Sequence, residues 1–209
     1  MAYYYTKTKR KPNSIEFQQA QFRVPEELDR CTLVDWKESP YYKLALDYIE
    51  AFPNNDPKGL YIYGETSGTG KSSLCVSICR ELIRLGKTHF GCYWFPAETL
   101  FEDLREIHNS GIPLRQAPIF RKMIQSDLII MDDLGIEKLT QFSAGRYLAI
   151  VNPLWSEGKN VLITSKFGRG QLLKRAEPGV DTFLLDSIAN RLAAMTTLIK
   201  YENRDFRNS

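Results

Sequence analysis

A glycine-rich stretch, residues 64–73 (GETSGTGKSS), combines residue types that suit phosphate binding. It follows an apolar run typical of a buried strand and precedes a run with helical periodicity. Glycines let backbone N–H groups turn towards phosphate oxygens, Lys71 can reach the β- and γ-phosphates, and the Ser72 hydroxyl can ligate Mg²⁺. The stretch therefore predicts a P-loop for ATP and Mg²⁺, formed by Gly64, Glu65, Thr66, Ser67, Gly68, Thr69, Gly70, Lys71, Ser72 and Ser73.

The spacing of this stretch departs by one residue from the common P-loop pattern, G-x-x-x-x-G-K-[ST]. Five residues separate Gly64 from Gly70, and Glu65 occupies the first position of the strict pattern. The inner element, residues 68–72, is intact. We therefore expect a phosphate site whose loop geometry and affinity are altered.

A second stretch, residues 128–133 (LIIMDD), is an apolar run that ends in two carboxylates. At the exposed tip of a buried strand, Asp132 would hold Mg²⁺ directly or through water. Asp133 would orient and deprotonate the water that attacks the γ-phosphate. A solvated turn is the alternative, which the upstream P-loop disfavours.

A third stretch, NVLITSK, ends in polar residues that could complete the site. If its tip lies beside Asp132, then Thr164, Ser165 or Lys166 could contact the attacking water or the γ-phosphate. The alternative is that they are ordinary residues at the end of a strand, without a role in the site.

The elements that must position these residues alternate along the chain. Strands are predicted at GLYIYG, HFGCYWF, DLIIMDD, NVLITS and TLIKY. Helices are predicted after Ser39, from Gly70 to about Leu85, at TLFEDLREI, from Ala144 to Trp155 and through Ala189 to Met195, with a linker around Pro113 and Pro118. Apolar strands alternating with helices predict an α/β P-loop NTPase fold, a parallel five-stranded sheet with helices on both faces.

Composition predicts a globular protein, because 43% hydrophobic and 12% aromatic residues among 209 are enough to bury one sizeable core. No apolar run approaches the roughly 18 residues that a membrane span needs, and the N-terminus lacks the apolar region of a signal peptide. We therefore expect a cytoplasmic protein without a membrane partner. The net charge of +3 is compatible with a phosphate-backbone partner but does not identify one.

Residues 1–35 are interpreted as a basic and aromatic tail with the segment before the first long helix, and residues 36–209 as the nucleotide-binding domain. Lys7, Lys9, Arg10 and Lys11 lie beside three tyrosines, without helical or strand periodicity. A solvated, flexible arm accounts for this composition. Binding of single-stranded nucleic acid or of a partner protein is the alternative.

These motifs, in this order and spacing, resemble AAA+ helicase loaders of the DnaC and DnaI type and the related IstB transposition ATPases. The resemblance covers residues 22–207 and includes the segment FRVPEELDRCTLVDW, the P-loop and IIMDDLG (residues 129–135), which is similar to the family's Walker B string. It implies an AAA+ fold of the ASCE type with a reduced C-terminal lid. The family's sensor 1 segment resembles Thr164, Ser165 and Lys166, with lysine in the place of asparagine.

The C-terminal string IANRLAAMTTLIKYENRDFR resembles the family's box with an arginine finger, at Arg191, followed by a strand and a sensor 2 arginine, at Arg207. The resemblance implies that Arg191 acts in trans on the ATP of a neighbouring subunit. Hydrolysis would then require an ATP-dependent assembly, helical or ring-like. Without the resemblance, Arg191 on a helix is interpreted as a solvated charge.

The resemblance further implies an ATPase that binds single-stranded DNA and delivers a replicative helicase in DNA replication. Arg105, Arg115, Arg121 and Lys122, between the second and third predicted strands, could face the DNA; a solvated basic surface is the alternative. Three other functions stay open: an IstB-like helper of a transposase, a nucleotide-gated interaction module with little hydrolysis and, ranked last, a small-molecule kinase.

Overall fold

The computed structural model describes residues 14–135 and 138–202. The basic residues of the predicted tail, Lys7, Lys9, Arg10 and Lys11, and also Arg207 lie outside the described residues. The strands are β1 (Gly59–Tyr63), β2 (Cys92–Pro96), β3 (Leu128–Leu134), β4 (Asn160–Ser165) and β5 (Thr196–Lys200). The α-helices of the described residues are α1 (Ile15–Gln21), α2 (Tyr41–Ala51), α3 (Lys71–Arg84), α4 (Ala97–Asn109), α5 (Pro118–Gln125), α6 (Gln141–Ser156), α7 (Arg169–Lys174) and α8 (Thr182–Met195).

The five strands form one parallel sheet in the order β2-β3-β4-β1-β5. This confirms the predicted five-stranded parallel sheet. The strands are nearly continuous apolar runs because helices cover both faces; every residue of β4 is buried. Since parallel strands end at the same edge, the segments that follow β1, β3 and β4 lie together, where α/β sheets generally bind ligands.

Two apolar cores lie on opposite faces of the sheet. On one face, α2 and α3 pack against the sheet, with Leu74 of α3 and Ile62 of β1 fully buried. On the other face, α4, α6 and α8 enclose a core that includes Tyr147, Ile188 and Ile163. The phosphate loop therefore leads into the helical layer opposite the one that contains α8.

The segment before α2 packs onto α3. Trp36 is buried, and its indole Nε1 donates to Ser77 Oγ at 3.3 Å. Arg80 of α3 forms an ion pair with Asp29 at 2.8 Å, and Leu33 is buried in the same core. Part of the segment before residue 36 thus belongs to the core on the α3 face of the sheet.

Three short helices, α1, α5 and α7, occur where no helix is predicted. Pro118 lies in the expected linker, yet it is the first residue of α5. Proline is tolerated there because the first N–H groups of a helix have no intrahelical acceptor. Burial of Phe120 and Met123 stabilises α5. Helices of six to eight residues are too short to show a defensible helical period in sequence.

The helix predicted through Ala189 begins earlier, at Thr182. Asp181 is its N-cap, and the carboxylate accepts a hydrogen bond from the backbone N–H of Phe183 at 2.8 Å. Such a cap satisfies a donor that the helix itself leaves unpaired. The cap therefore determines where this helix starts, ahead of the apolar residues that made it predictable.

Candidate functional site

The phosphate loop, residues 64–70, connects β1 to α3 at the carboxyl edge of the sheet. Residues 65–68 are exposed, whereas Thr69 and Lys71 are buried. Gly70 has a φ of 99°, a conformation that glycine adopts without strain, and the chain turns there directly into α3. Glu65 thus lies in the exposed part of the loop, away from the turn. The first N–H groups of α3 lack intrahelical acceptors and form a site suited to an anion.

Lys71 lies inside the curve of the phosphate loop. Its Nζ donates to Thr66 O at 2.8 Å, to Gly64 O at 3.1 Å and to Thr69 Oγ1 at 3.3 Å. Burial lowers the pKa of Lys71, and the nearby carboxylate of Asp133 opposes that shift. The loop therefore holds a cation at the position where phosphate charge would be neutralised.

The hydroxyls of two different elements converge on Asp132. Ser72 Oγ of α3 and Thr164 Oγ1 of β4 both donate to Asp132 Oδ1 at 2.6 Å. Burial raises the pKa of Asp132, whereas these two hydrogen bonds lower it. The two residues predicted to hold Mg²⁺, Ser72 and Asp132, are thus adjacent in space although 60 positions apart in sequence.

Asp133 occupies a β-bulge at the end of β3. Met131 pairs with Ile163 and Leu134 pairs with Ser165, so β3 contains one residue more than β4 over this interval. Asp133 has a φ of 58°, in the left-handed region that aspartate tolerates better than most residues. Its backbone N–H donates to Thr164 Oγ1 at 2.8 Å. The bulge breaks the alternation of faces, and both carboxylates act electrostatically on Lys71.

Of the three candidates after β4, Thr164 is the residue bound to the acidic pair. Ser165 is fully buried; its Oγ donates to Leu134 O at 2.6 Å and accepts from the N–H of Phe167 at 3.0 Å. Its hydroxyl therefore joins β4 to β3 and to the following turn, away from the Asp132 carboxylate. Lys166 lies close enough to lower the pKa of Lys71.

Arg191 lies outside this cluster, on α8. Its Nε donates to Asn152 Oδ1, and its guanidinium group stacks on the ring of Trp155, 5.1 Å from the centroid. Both partners belong to α6, on the sheet face opposite α3. The chain thus does not bring Arg191 to its own phosphate loop.

The sequence-based prediction missed two features of the site, a tryptophan on β2 and a cavity beside the start of α3. Trp94 of β2 faces the Asp132 carboxylate and lowers its pKa, although burial of Asp132 has the larger, opposite effect. A cavity of about 210 Å³ adjoins the start of α3 and is lined by Cys31, Asp35, Trp36, Gly70 and Ser73. No local motif marks either feature, because each depends on contacts between distant segments.

The donor set suits Mg²⁺. A serine hydroxyl and a carboxylate are the hard oxygen ligands that Mg²⁺ prefers, and it usually keeps several waters and binds substrate phosphates as well. Ser72 and Asp132 would hold the ion, which would neutralise charge on the β- and γ-phosphates. Within the described residues, the structure contains no cluster of three or more histidine, cysteine or acidic residues that would suit another metal site.

A parallel sheet in the order β2-β3-β4-β1-β5, with a P-loop after β1 and an acidic pair at the end of β3, is the arrangement of an AAA+ nucleotide-binding fold. Solved structures share it. DnaI aligns over 86% of this chain and 95% of its own, with a TM-score of 0.67 and 20% identity. The DnaC helicase loader aligns over 85% and 99%, with a TM-score of 0.67 and 19% identity. Replication initiator DnaA, bound to AMPPCP and single-stranded DNA, aligns over 84% of this chain and 50% of its own, with a TM-score of 0.60 and 18% identity.

The family is more specific than the fold. Residues 44–209 match the profile of the IstB-like ATP binding proteins, and the chain belongs to this family. The resemblance inferred from the sequence is thereby confirmed. No functionally curated protein shows significant sequence similarity to the chain. In residues 14–135 and 138–202, no helix is both long enough and apolar enough to span a membrane.

Proposed function

We propose that this chain hydrolyses ATP to ADP and phosphate and uses the nucleotide state to load a replicative helicase onto single-stranded DNA. The observation that carries the hydrolytic part is the convergence of Lys71, Ser72 and the acidic pair at one edge of the sheet. These groups come from α3 and β3. A cation, a hydroxyl and carboxylates are the groups that phosphoryl transfer to water requires.

Each residue has a separate task in this proposal. Lys71 exchanges its bonds to loop oxygens for phosphate oxygens and neutralises their charge. Asp133 accepts a proton from the attacking water, as the new oxygen–phosphorus bond forms and the bond to the β-phosphate oxygen breaks. Thr164, which is buried and bonded to both aspartates, positions the pair. Gly64, Glu65, Thr66, Ser67, Gly68, Thr69, Gly70 and Ser73 surround the phosphates.

Arg191 is proposed to complete the site of a neighbouring subunit. It is half-buried on α8 and held at its Nε atom by Asn152. A guanidinium group that arrives from another subunit stabilises charge in the transition state. Arg207 is proposed separately, as the sensor 2 arginine that the family resemblance implies.

The proposed partners follow from fold similarity and charge. The similar DnaC structure is that of a helicase loader, and the similar DnaA structure contains single-stranded DNA. Arg105, Arg115, Arg121 and Lys122 are all exposed on the segments that connect β2 to β3. Exposed cations suit contacts with the phosphates of a single strand.

The first test is steady-state ATP hydrolysis by the purified protein, with and without single-stranded DNA. We expect DNA to raise the rate. Lys71→Ala should abolish hydrolysis and weaken ATP binding, because it removes the buried cation of the loop. Lys43→Ala is the matched control, since Lys43 is an exposed lysine on α2 whose ammonium contacts Asp47. Equal loss of activity in both variants would contradict the assignment of Lys71.

A helper ATPase of a transposase is the second candidate, favoured by membership of the IstB-like family. The two functions differ in the partner. Addition of the protein to a replicative helicase and a single-stranded circle with an annealed oligonucleotide should increase release of that oligonucleotide if the chain is a loader. Stimulation of strand transfer by a transposase, without any effect on unwinding, would favour the helper. Tight ATP binding without turnover would favour the nucleotide-gated module.

A further inference from the structure

Trp94 carries a buried N–H group that lies near the Asp132 carboxylate but meets no acceptor with hydrogen-bond geometry among the residues described. Indole Nε1 is a donor only, and burying a donor without an acceptor is unfavourable. Buried donors of this kind are uncommon in folded proteins and call for a physical explanation. At a candidate active site, an acceptor that reaches hydrogen-bond geometry only when the ligand is bound is such an explanation.

The sheet places the Trp94 side chain beside the acidic pair. Trp94 pairs with Ile130 in the parallel register of β2 and β3, and Pro96 pairs with Asp132. Trp94 packs with the core on the α3 face, whereas its neighbour Tyr93 packs with the core on the opposite face. The indole therefore reaches towards Asp132 from β2, on the face from which Ser72 also contacts that carboxylate.

The Asp132 carboxylate depends at present on two hydroxyl donors. Ser72 and Thr164 both donate to the same oxygen, Oδ1. If Ser72 were to ligate Mg²⁺ through a lone pair of its oxygen, its O–H could still donate to Oδ1, and a further donor from β2 would fix the carboxylate more firmly. Carboxylates near a metal ion are generally fixed by hydrogen bonds from the protein, and loss of such a partner typically lowers metal affinity or activity by 10- to 100-fold.

We propose that Trp94 is a positioning residue whose indole N–H donates to the Asp132 carboxylate in the state with ATP and Mg²⁺ bound. The inference rests on the proposed nucleotide site and goes beyond it by adding a group from β2. The indole adds a donor on a rigid ring of β2 to the two hydroxyl donors of Ser72 and Thr164. The buried N–H gains its missing acceptor in the same step.

Trp94→Phe tests this role because it keeps an aromatic ring in the core and removes the N–H donor. Binding of a non-hydrolysable ATP analogue would be followed by calorimetry over a range of Mg²⁺ concentrations. We expect the Mg²⁺ concentration for half-saturation to rise on the order of 10-fold. Tyr93→Phe, which removes a hydroxyl from the same strand on the opposite face, should stay within about twofold of the unaltered protein.

The indole signals in proton–nitrogen NMR spectra give a readout that does not depend on catalysis. The chain has three tryptophans, and Trp94→Phe identifies the Trp94 signal by its loss. In the unaltered protein, the analogue with Mg²⁺ should shift this proton downfield as it gains an acceptor. Lys71→Ala, with weakened nucleotide binding, should not show the shift.

The outcomes separate this role from the nucleotide site on which it rests. A Trp94 signal that stays in place while calorimetry detects binding would overturn the role of Trp94 alone. An unchanged Mg²⁺ requirement in Trp94→Phe would do the same. Absence of nucleotide binding by the unaltered protein would overturn the proposed function, and the role of Trp94 with it.

Discussion

At the scale of single residues, the backbone conformation of Asp133 is unusual, because few residues other than glycine have a positive φ. It has a positive φ of 58° at a bulge that follows a buried strand. Such conformations cost on the order of 1 kcal/mol and persist where the surrounding structure enforces them, often at functional sites. Here the enforcing contact is the hydrogen bond from the Asp133 N–H to Thr164.

Asp133→Asn should lower the rate constant for ATP hydrolysis on the order of 100-fold or more, because it removes the proton acceptor. Binding of the ATP analogue should stay within about threefold, since asparagine has the same shape and also tolerates a positive φ. Rapid-quench measurement of a single turnover, paired with calorimetry of binding, distinguishes the two effects. An unchanged single-turnover rate would show that Asp133 is not the base.

At the scale of secondary-structure elements, the end of β3 must turn sharply beside α7. Gly135 has a φ of 93°, and a Cβ atom built there would lie 2.2 Å from Cδ1 of Leu172, which is buried. Glycine is therefore required both by conformation and by the close approach of the two elements. This contact closes the turn that follows the acidic pair.

Gly135→Ala should lower the free energy of unfolding by about 1–3 kcal/mol, through backbone strain and overpacking against Leu172. Gly145→Ala is the matched control: Gly145 lies within α6, and a Cβ atom there meets nothing within 4 Å. Alanine at that helical position should stabilise the protein by roughly 0.5–1 kcal/mol. Urea unfolding curves would measure both. Equal effects of the same sign would contradict the proposed constraint at Gly135.

At the scale of the whole molecule, the two helical layers separate the proposed trans arginine from the phosphate loop of its own chain. Arg191 projects from α8 and contacts α6, whereas Lys71 starts α3 on the other face. This separation suits a residue that acts on a neighbouring subunit. It also makes the proposal testable with two inactive variants.

Arg191→Ala and Lys71→Ala should each hydrolyse ATP at least 100-fold more slowly than the unaltered protein. Mixed in equal amounts, they should regain activity, because an intact phosphate loop from one chain can meet an intact Arg191 from the other. Random mixing restores roughly a quarter of the sites in a head-to-tail assembly. Hydrolysis assays with sizing in ATP would follow the recovery. No recovery despite co-assembly would contradict action in trans.

The order of strands and helices was accessible from sequence because burial leaves a local pattern. The apolar run that ends in Asp132 and Asp133 forms β3, and the run before Gly64 forms β1. The glycine-lysine-serine string is likewise local, since the phosphate loop is one continuous turn into α3. Short helices such as α5 and α7 escaped prediction because their stability comes from burial against other elements rather than from a long periodic pattern.

The sequence by itself determined the ATP-binding class of this protein, since all the residues that define it are neighbours in two short strings. Only the tertiary structure decided that Thr164 rather than Ser165 binds the acidic pair, that a bulge reorients Asp133 and that Trp94 faces Asp132. These facts depend on strand register and on contacts between distant segments. A one-residue change of register sends every side chain of a strand to the other face, so no local pattern can specify them.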